Sequence, residues 1–154
     1  MVRLRPATPD DIPFILATER GEGYEALVGR FEEAEHRANL ADSNWLYLIG
    51  LDAAGAAQGF AILQDRDSGD GSEFLRRIAV VNAGQGFGRR FLAAVIDWAF
   101  ANTTAQRFRL HVRKVNVRAR HVYASLGFVE VAEEAGGDSD SVSMSLARSA
   151  WVER

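Results

Sequence analysis

Residues Glu73–Leu92 read EFLRRIAVVNAGQGFGRRFL, a strand-like run, three alternating glycines, two arginines and the start of an apolar helical stretch. Gly84, Gly86 and Gly88 either shape a turn that starts a helix or bare the backbone for an anion. Amides at a helix start are unpaired and sit at the positive end of the helix dipole. Glycine lets a phosphate approach without meeting a Cβ. Three alternating glycines followed by Arg89 and Arg90 favour the anion.

The common nucleotide motifs do not fit. A dinucleotide fingerprint starting at Gly84 needs glycine where Arg89 stands. It also needs a carboxylate about 20 residues further on, at the end of a second parallel strand, whereas Asp97 falls inside the predicted helix. A P-loop needs G-K-S/T after four spacer residues, and the sequence has none.

Upstream of the glycines, Trp45–Leu51 and Gln58–Leu63 are strand-like runs separated by a loop of hairpin length, and Glu73–Val81 completes an antiparallel meander. Val2–Arg5 is a further strand. The TPDD segment then starts a helix, with Thr8 or Asp10 as cap, Pro13 in the first turn and Ile12, Ile15 and Leu16 on one face. A second helical stretch carries Tyr24, Leu27, Val28 and Phe31 at the same spacing, with Glu22, Glu25, Glu32, Glu33 and Glu35 on its other faces. Downstream, Phe91, Leu92, Val95, Ile96 and Ala99 recur at helical spacing, and Arg107–Arg113 is a strand. Asn116 caps a helix that buries Ala119, Val122, Tyr123 and Leu126 and stops at Gly127. Phe128–Ala132 and Ser141–Leu146 are closing strands around the polar loop Glu133–Asp140. The order is that of a mixed α/β sheet with helices on its faces.

The 154 residues suffice for a single domain spanning 1–154. A net charge of −3 gives no basic field for nucleic acid or anionic membrane. The absence of cysteine removes disulfides, thiolate zinc sites and a cysteine nucleophile. The N-terminus lacks the apolar core of a signal peptide, and no apolar run reaches the roughly 20 residues needed to cross a bilayer. A cytoplasmic protein is expected.

Glu73–Leu92 resembles the coenzyme A-binding core of the GCN5-related N-acetyltransferases (GNAT). Ala83-Gly84-Gln85-Gly86-Phe87-Gly88 follows that family's Q/R-x-x-G-x-G/A loop in all but its first position. Asn116–Phe128 resembles the family's N-x-x-A-x-x-x-Y-x-x-x-G-F segment through Asn116, Ala119, Tyr123, Gly127 and Phe128. One helix and one strand lie between the two motifs, as the family requires. The resemblance implies a central, twisted, mostly antiparallel sheet of roughly six to seven strands flanked by about four helices. It also implies an N-acetyltransferase that moves the acetyl group of acetyl-CoA to a primary amine by direct attack in a ternary complex. The acceptor is a small molecule, a lysine side chain or a protein N-terminus. A coenzyme A-binding sensor or interaction module with weak catalysis is the alternative on the same fold. Ala83 departs from the family's Gln or Arg, but the phosphate contacts are mainly main-chain amides.

The resemblance assigns roles by position. The pyrophosphate lies on the amides of Gly84, Gln85, Gly86, Phe87, Gly88 and Arg89. The pantetheine arm pairs with the main chain of Ile78, Ala79 and Val80, where an N–H at Ile78 or nearby polarises the thioester carbonyl. Tyr123 protonates the leaving sulfur, since a phenol keeps its proton at neutral pH; read from periodicity alone, it is a core tyrosine with a satisfied hydroxyl. Asn116 contacts the cofactor arm, a role compatible with capping its helix. Glu73 is either the base that accepts the amine's proton or a solvated strand-end glutamate. Arg113, Lys114, Arg118 and Arg120 are a basic cluster that either reaches the cofactor's 3′-phosphate or solvates a helix face.

No metal is expected. His36, His111 and His121 share no ligand spacing, and Asp65–Gly71 lacks the glycine that a calcium loop needs at its sixth position. Trp45, Trp98 and Trp151 read as core or subunit-contact residues, and Trp151 and the C-terminal strand are candidate homodimer contacts. The acidic stretch from Glu22 to Glu35 either favours a cationic acceptor such as a polyamine or simply solvates its helix.

Overall fold

The computed structural model describes residues 2–21, 31–64, 71–82, 85–131 and 140–152. The strands are β1 (Arg3–Pro6), β2 (Leu46–Leu51), β3 (Ala57–Gln64), β4 (Ser72–Val80), β5 (Arg107–Arg113), β6 (Val129–Val131) and β7 (Ser141–Ala147); β5 alternates buried and polar positions, while β2 and β3 are buried on both faces. These strands form one sheet in the order β1-β2-β3-β4-β5-β7-β6. Every neighbouring pair is antiparallel except β4 and β5, which run parallel. The helices are α1 (Ile12–Glu19), α2 (Glu33–Leu40), α3 (Phe87–Asn102), α4 (Val117–Ser125) and α5 (Arg148–Val152).

The two faces of the sheet are packed separately. On one, Leu48, Ala61, Leu63, Leu75, Phe108 and Leu110 meet the apolar stripe of α3, namely Phe91, Leu92, Val95, Ile96 and Ala99. On the other, Tyr47, Ile49, Phe60, Ile62 and Ala79 meet Ile15 of α1. Gly50 and Gly59 stand directly opposite each other on β2 and β3, and the ring of Phe91 lies over the pair. A Cβ on Gly50 would come within 2.7 Å of that ring, and one on Gly59 within 2.8 Å of the Ala79 carbonyl. The two glycines form a notch that lets the start of α3 approach the sheet closely.

Local chemistry accounts for the helix starts. Thr8 caps a 3-10 turn at Pro9–Asp11, and Asp11 returns the bond by accepting from the Thr8 amide. Arg5 holds both oxygens of Asp11 at 2.8 Å. That fork, ahead of the opposing effect of burial, keeps the Asp11 carboxyl below its ordinary value. Pro13 falls in the first turn of α1, where its missing N–H is harmless.

The structure corrects several expectations. The second helix begins at Glu33, so Phe31 and Glu32 precede it, Glu32 acting as its cap; Glu22, Tyr24, Glu25, Leu27 and Val28 lie outside the described residues. The apolar face of α4 is half-buried rather than buried. Neither proposed dimer contact is open. β7 lies between β5 and β6 instead of at an edge. Trp151 is packed in the α3-side core, its indole N–H donating to Asp97 at 2.7 Å. α5 itself was not foreseen. Its Arg148 donates to the carbonyls of Phe100, Thr103 and Ala105 at 2.7 to 2.8 Å, satisfying groups that the end of α3 leaves open.

Candidate functional site

The parallel pairing of β4 with β5 covers only Ser72–Leu75 against Arg107–Leu110. Beyond Leu75, β4 continues to Val80 in register with β3 alone among the described strands, while β5 continues to Arg113 beside β7. The two parallel strands therefore part company in mid-sheet. A bulge marks the place: Leu63 pairs with Leu75 and Ile62 with Arg77, leaving Arg76 as the extra residue. A bulge sharpens the local twist and bends its strand, and here it falls at the end of the β4–β5 ladder. Ile78, Ala79 and Val80 lie past it, so the three residues expected to pair with a pantetheine arm border the opening.

α3 starts beside the end of β4. Gly86 is its N-cap with φ +82°, a left-handed conformation that glycine adopts readily. No side chain caps the helix and its first turn holds no acid, so the amides of Phe87, Gly88 and Arg89 keep their affinity for an anion. Gly88 has no steric reason to be glycine. A Cβ there would meet only Val80 methyls at 3.8 and 3.9 Å, which is ordinary contact. Bare backbone facing the end of β4 at a helical position suits coenzyme A, whose pyrophosphate and arm need that space. Gln85 is exposed beside it; Ala83 and Gly84 lie outside the described residues.

α4 joins the same end of the molecule. The Arg89 guanidinium donates to Ser125 Oγ at 3.2 Å, linking the first turn of α3 to the last turn of α4. Asn116 caps α4 by accepting from the Ala119 amide at 3.2 Å. Tyr123 is half-buried against the α3-side core, its ring 5.8 Å from that of Phe128. Arg120 is engaged by Glu130 at 2.6 Å, whereas Arg113, Lys114 and Arg118 are exposed.

Glu73 departs from the solvated strand end that was one of its two expected placements. It is buried, in register with Phe108 and hence on the α3 face of the sheet, so it is no solvated strand end. It precedes Ile78 by five positions, about 16 Å along an extended strand.

Sequence reasoning missed a buried polar cluster on the opposite face. Glu19, His36, Tyr47 and Arg77 come from α1, α2, β2 and β4 and are all buried. His36 Nε2 lies 2.8 Å from Glu19 Oε1, and His36 Nδ1 lies 2.7 Å from the Tyr47 hydroxyl. Arg77 donates to Glu19 Oε2 at 3.1 Å, and Asn39 donates to the Tyr47 oxygen at 3.2 Å. One arrangement satisfies every atom: Nε2 donates to the carboxylate and Nδ1 accepts from the phenol. Burial pushes the Tyr47 phenol up to about 12. Burial also lowers the Arg77 guanidinium, with Arg76 adding to the effect and Glu19 opposing it. Glu19, His36 and Tyr47 share no motif, and His36 lies in α2, whose residues carry no apolar spacing; the one available signal was an acid on the apolar side of the first helix.

Among the described residues no group of three or more His, Cys, Asp or Glu could hold a metal ion, and no helix is long and apolar enough to cross a membrane. A family model described as "Acetyltransferase (GNAT) domain" matches residues 2–129. Comparison with curated protein sequences gave no match. Among solved structures, the spermidine N-acetyltransferase of Vibrio cholerae in complex with CoA and spermine has 24% identity and a TM-score of 0.75, covering 98% of each chain. A dodecameric structure of that enzyme has 20% identity and a TM-score of 0.80, covering 99% of this chain and 97% of the other. A chimeric form of it reaches 22% identity and a TM-score of 0.83, covering 99% of both. At these identities the likeness is one of fold.

Proposed function

Because the chain belongs to the GNAT family of acetyltransferases, we propose that it moves the acetyl group of acetyl-CoA to a primary amine by direct attack in a ternary complex, as a cytoplasmic enzyme of one domain. The observation that carries this reading is the opening where β4 leaves β5, bounded by the uncapped start of α3 and by the helix of Tyr123. The Vibrio cholerae enzyme of the same fold binds CoA and spermine, which supports an amine as acceptor. Its dodecameric assembly supports self-association here as well, through contacts other than Trp151 or β7.

Each residue has a physical task. The amides of Phe87–Arg89, continuing the loop from Gly84, hold the pyrophosphate, and Gly88 leaves room beside Val80. The main chain of Ile78–Val80 pairs with the pantetheine arm as an added strand, and the Ile78 N–H polarises the thioester carbonyl. Asn116 fixes the start of α4 and lies beside the arm. The amine nitrogen attacks the carbonyl carbon, the C–S bond breaks, and the Tyr123 phenol gives its proton to the departing sulfur. The proton lost by the amine passes to solvent. Glu73 is given no part in that transfer: it is buried on the α3 face near the start of β4, about 16 Å along the strand from Ile78.

Release of free thiol from acetyl-CoA across an amine panel tests the reading. Tyr123→Phe is expected to lower kcat by on the order of 100- to 10,000-fold while leaving acetyl-CoA affinity intact. A mutant equal to the wild type removes Tyr123 as the acid. Acetyl-CoA binding without thiol release in the wild type returns the chain to the sensor alternative.

A further inference from the structure

We propose that Arg76 selects the acceptor, and that it selects an amine carrying a carboxylate, of amino-acid or dipeptide size. The inference rests on the acetyl-transfer reading above and concerns only which amine is taken.

Approach comes first. α3 and Tyr123 lie on one side of the sheet, against one apolar core. A cofactor held there fills the opening from that side, so the attacking amine must enter from the other. That other face presents Phe31 and, through the exposed positions of β5, Arg107, His111 and Arg113. Arg109 shares the face, its guanidinium 5.8 Å from the ring of Phe74, against which His111 packs edge-on at 5.1 Å.

The bulge supplies the second point. In an unbroken strand Arg76 and Arg77 would face opposite sides. Because Arg76 is the extra residue, both guanidiniums reach the same ring: Arg77 lies 4.3 Å and Arg76 5.3 Å from the centroid of Phe31. Their fates then differ. Arg77 is buried and tied to Glu19. Arg76 is exposed, and no described carboxylate forms an ion pair with it. The aromatic face holds the guanidinium without neutralising it. Its planar fork matches a carboxylate through two parallel bonds. Arg76 stands two positions from Ile78, about 6–7 Å along a strand. An anion held there is within one small molecule's span of an amine at the thioester.

The acids at the start of α2 are each engaged locally. Glu32 faces Arg20 at 3.6 Å, Glu33 binds Arg37 at 3.1 Å, and Glu35 accepts from the Glu32 amide at 2.9 Å. A polyamine entering past Arg76 would meet like charge at the mouth of the opening.

The test uses matched acceptors, each an amino acid or dipeptide and its carboxamide, with spermidine as a third arm. Wild type, Arg76→Ala and Arg76→Lys are compared by thiol release, and acetyl-CoA binding is measured by calorimetry on all three. The wild type is expected to prefer the acid over the amide by at least about 10-fold in kcat/KM, mostly through KM. Arg76→Ala erases that ratio, Arg76→Lys restores part of it, and all three proteins bind acetyl-CoA alike. Preference for spermidine or the amide, a ratio that survives Arg76→Ala, or turnover of other amines with none of the acids overturns the inference. Acetyl-CoA binding with no turnover of any acceptor, or failure of the wild type to bind acetyl-CoA, instead overturns the acetyl-transfer reading beneath it.

Discussion

The two faces of β2–β4 are closed in opposite ways. The α3 face is filled by hydrocarbon: Phe91 in its glycine notch, then Leu92, Val95, Ile96 and Ala99 along one stripe. The α1–α2 face has an apolar patch around Ile15, Ile49 and Phe60, but its helices are bound to the sheet by Glu19, His36, Tyr47 and Arg77. Apolar packing is tolerant of substitution provided volume is kept. A buried ion pair holds one geometry and is costly to break by halves. The α3 side of the sheet is thus a general scaffold, and the α1–α2 side is fixed by specific bonds that end on β4 one residue from the bulge.

The largest effect expected from breaking this contrast is on the polar side. Glu19→Ala leaves Arg77 buried without its counter-ion and His36 without an acceptor, and should cost about 3–5 kcal/mol in a denaturant titration. Adding Arg77→Met should return part of that loss. If the single mutant is near wild type, the cluster does not hold the helices.

The Tyr47 phenol sharpens the same point through pH. Its ionisation lies near 12 in the fold against 10.0 when exposed, raised chiefly by burial. Below pH 10 both states keep the proton, so the contribution is fully present. Between pH 10 and 12 only the unfolded chain gives it up, and stability falls as pH rises. The loss from this group should approach roughly 2–3 kcal/mol. Unfolding midpoints from pH 9 to 12 should therefore drop more steeply for the wild type than for Tyr47→Phe; parallel slopes would refute the assignment.

On the apolar side the notch is the sensitive point. Gly50→Ala brings a methyl to 2.7 Å from Phe91, and the ring must shift, at about 1–3 kcal/mol. If the start of α3 holds the pyrophosphate as proposed, weaker acetyl-CoA binding should accompany the lower melting temperature. The smallest effect has the opposite sign. Gly88→Ala meets only ordinary contacts and replaces a helical glycine, so stability should rise by up to about 1 kcal/mol. Acetyl-CoA affinity should fall in the same variant, and a mutant both more stable and equally tight would remove Gly88 from the cradle.

Most of the scaffold was legible in the sequence because burial on one face repeats at a fixed period. Arg107–Arg113 was delimited as found, since Phe108, Leu110 and Val112 alternate with polar residues. The α3 stripe and the Asn116 cap were equally local signals. Phe31 and Glu32 precede α2 rather than lying within a helix, because its start is set by a reciprocal bond between Glu32 and Glu35 that apolar spacing does not register. α5 escaped notice because Arg148 is held by carbonyls of Phe100, Thr103 and Ala105, more than 40 residues away. Glu73 was read as a strand-end acid, but which face it takes depends on the register with β5.

The sequence by itself determined what is bound: alternating glycines, a helix start and the Asn116–Phe128 segment are patterns of adjacent residues, and their meaning is local. Only the tertiary structure decided which side chains meet across elements. It brought together Glu19, His36, Tyr47 and Arg77, buried Glu73 on the α3 face, and turned two consecutive arginines onto one ring through a single extra residue. Contacts between residues distant along the chain depend on strand register, and a bulge shifts register without leaving a mark in the pattern of residues that forms it.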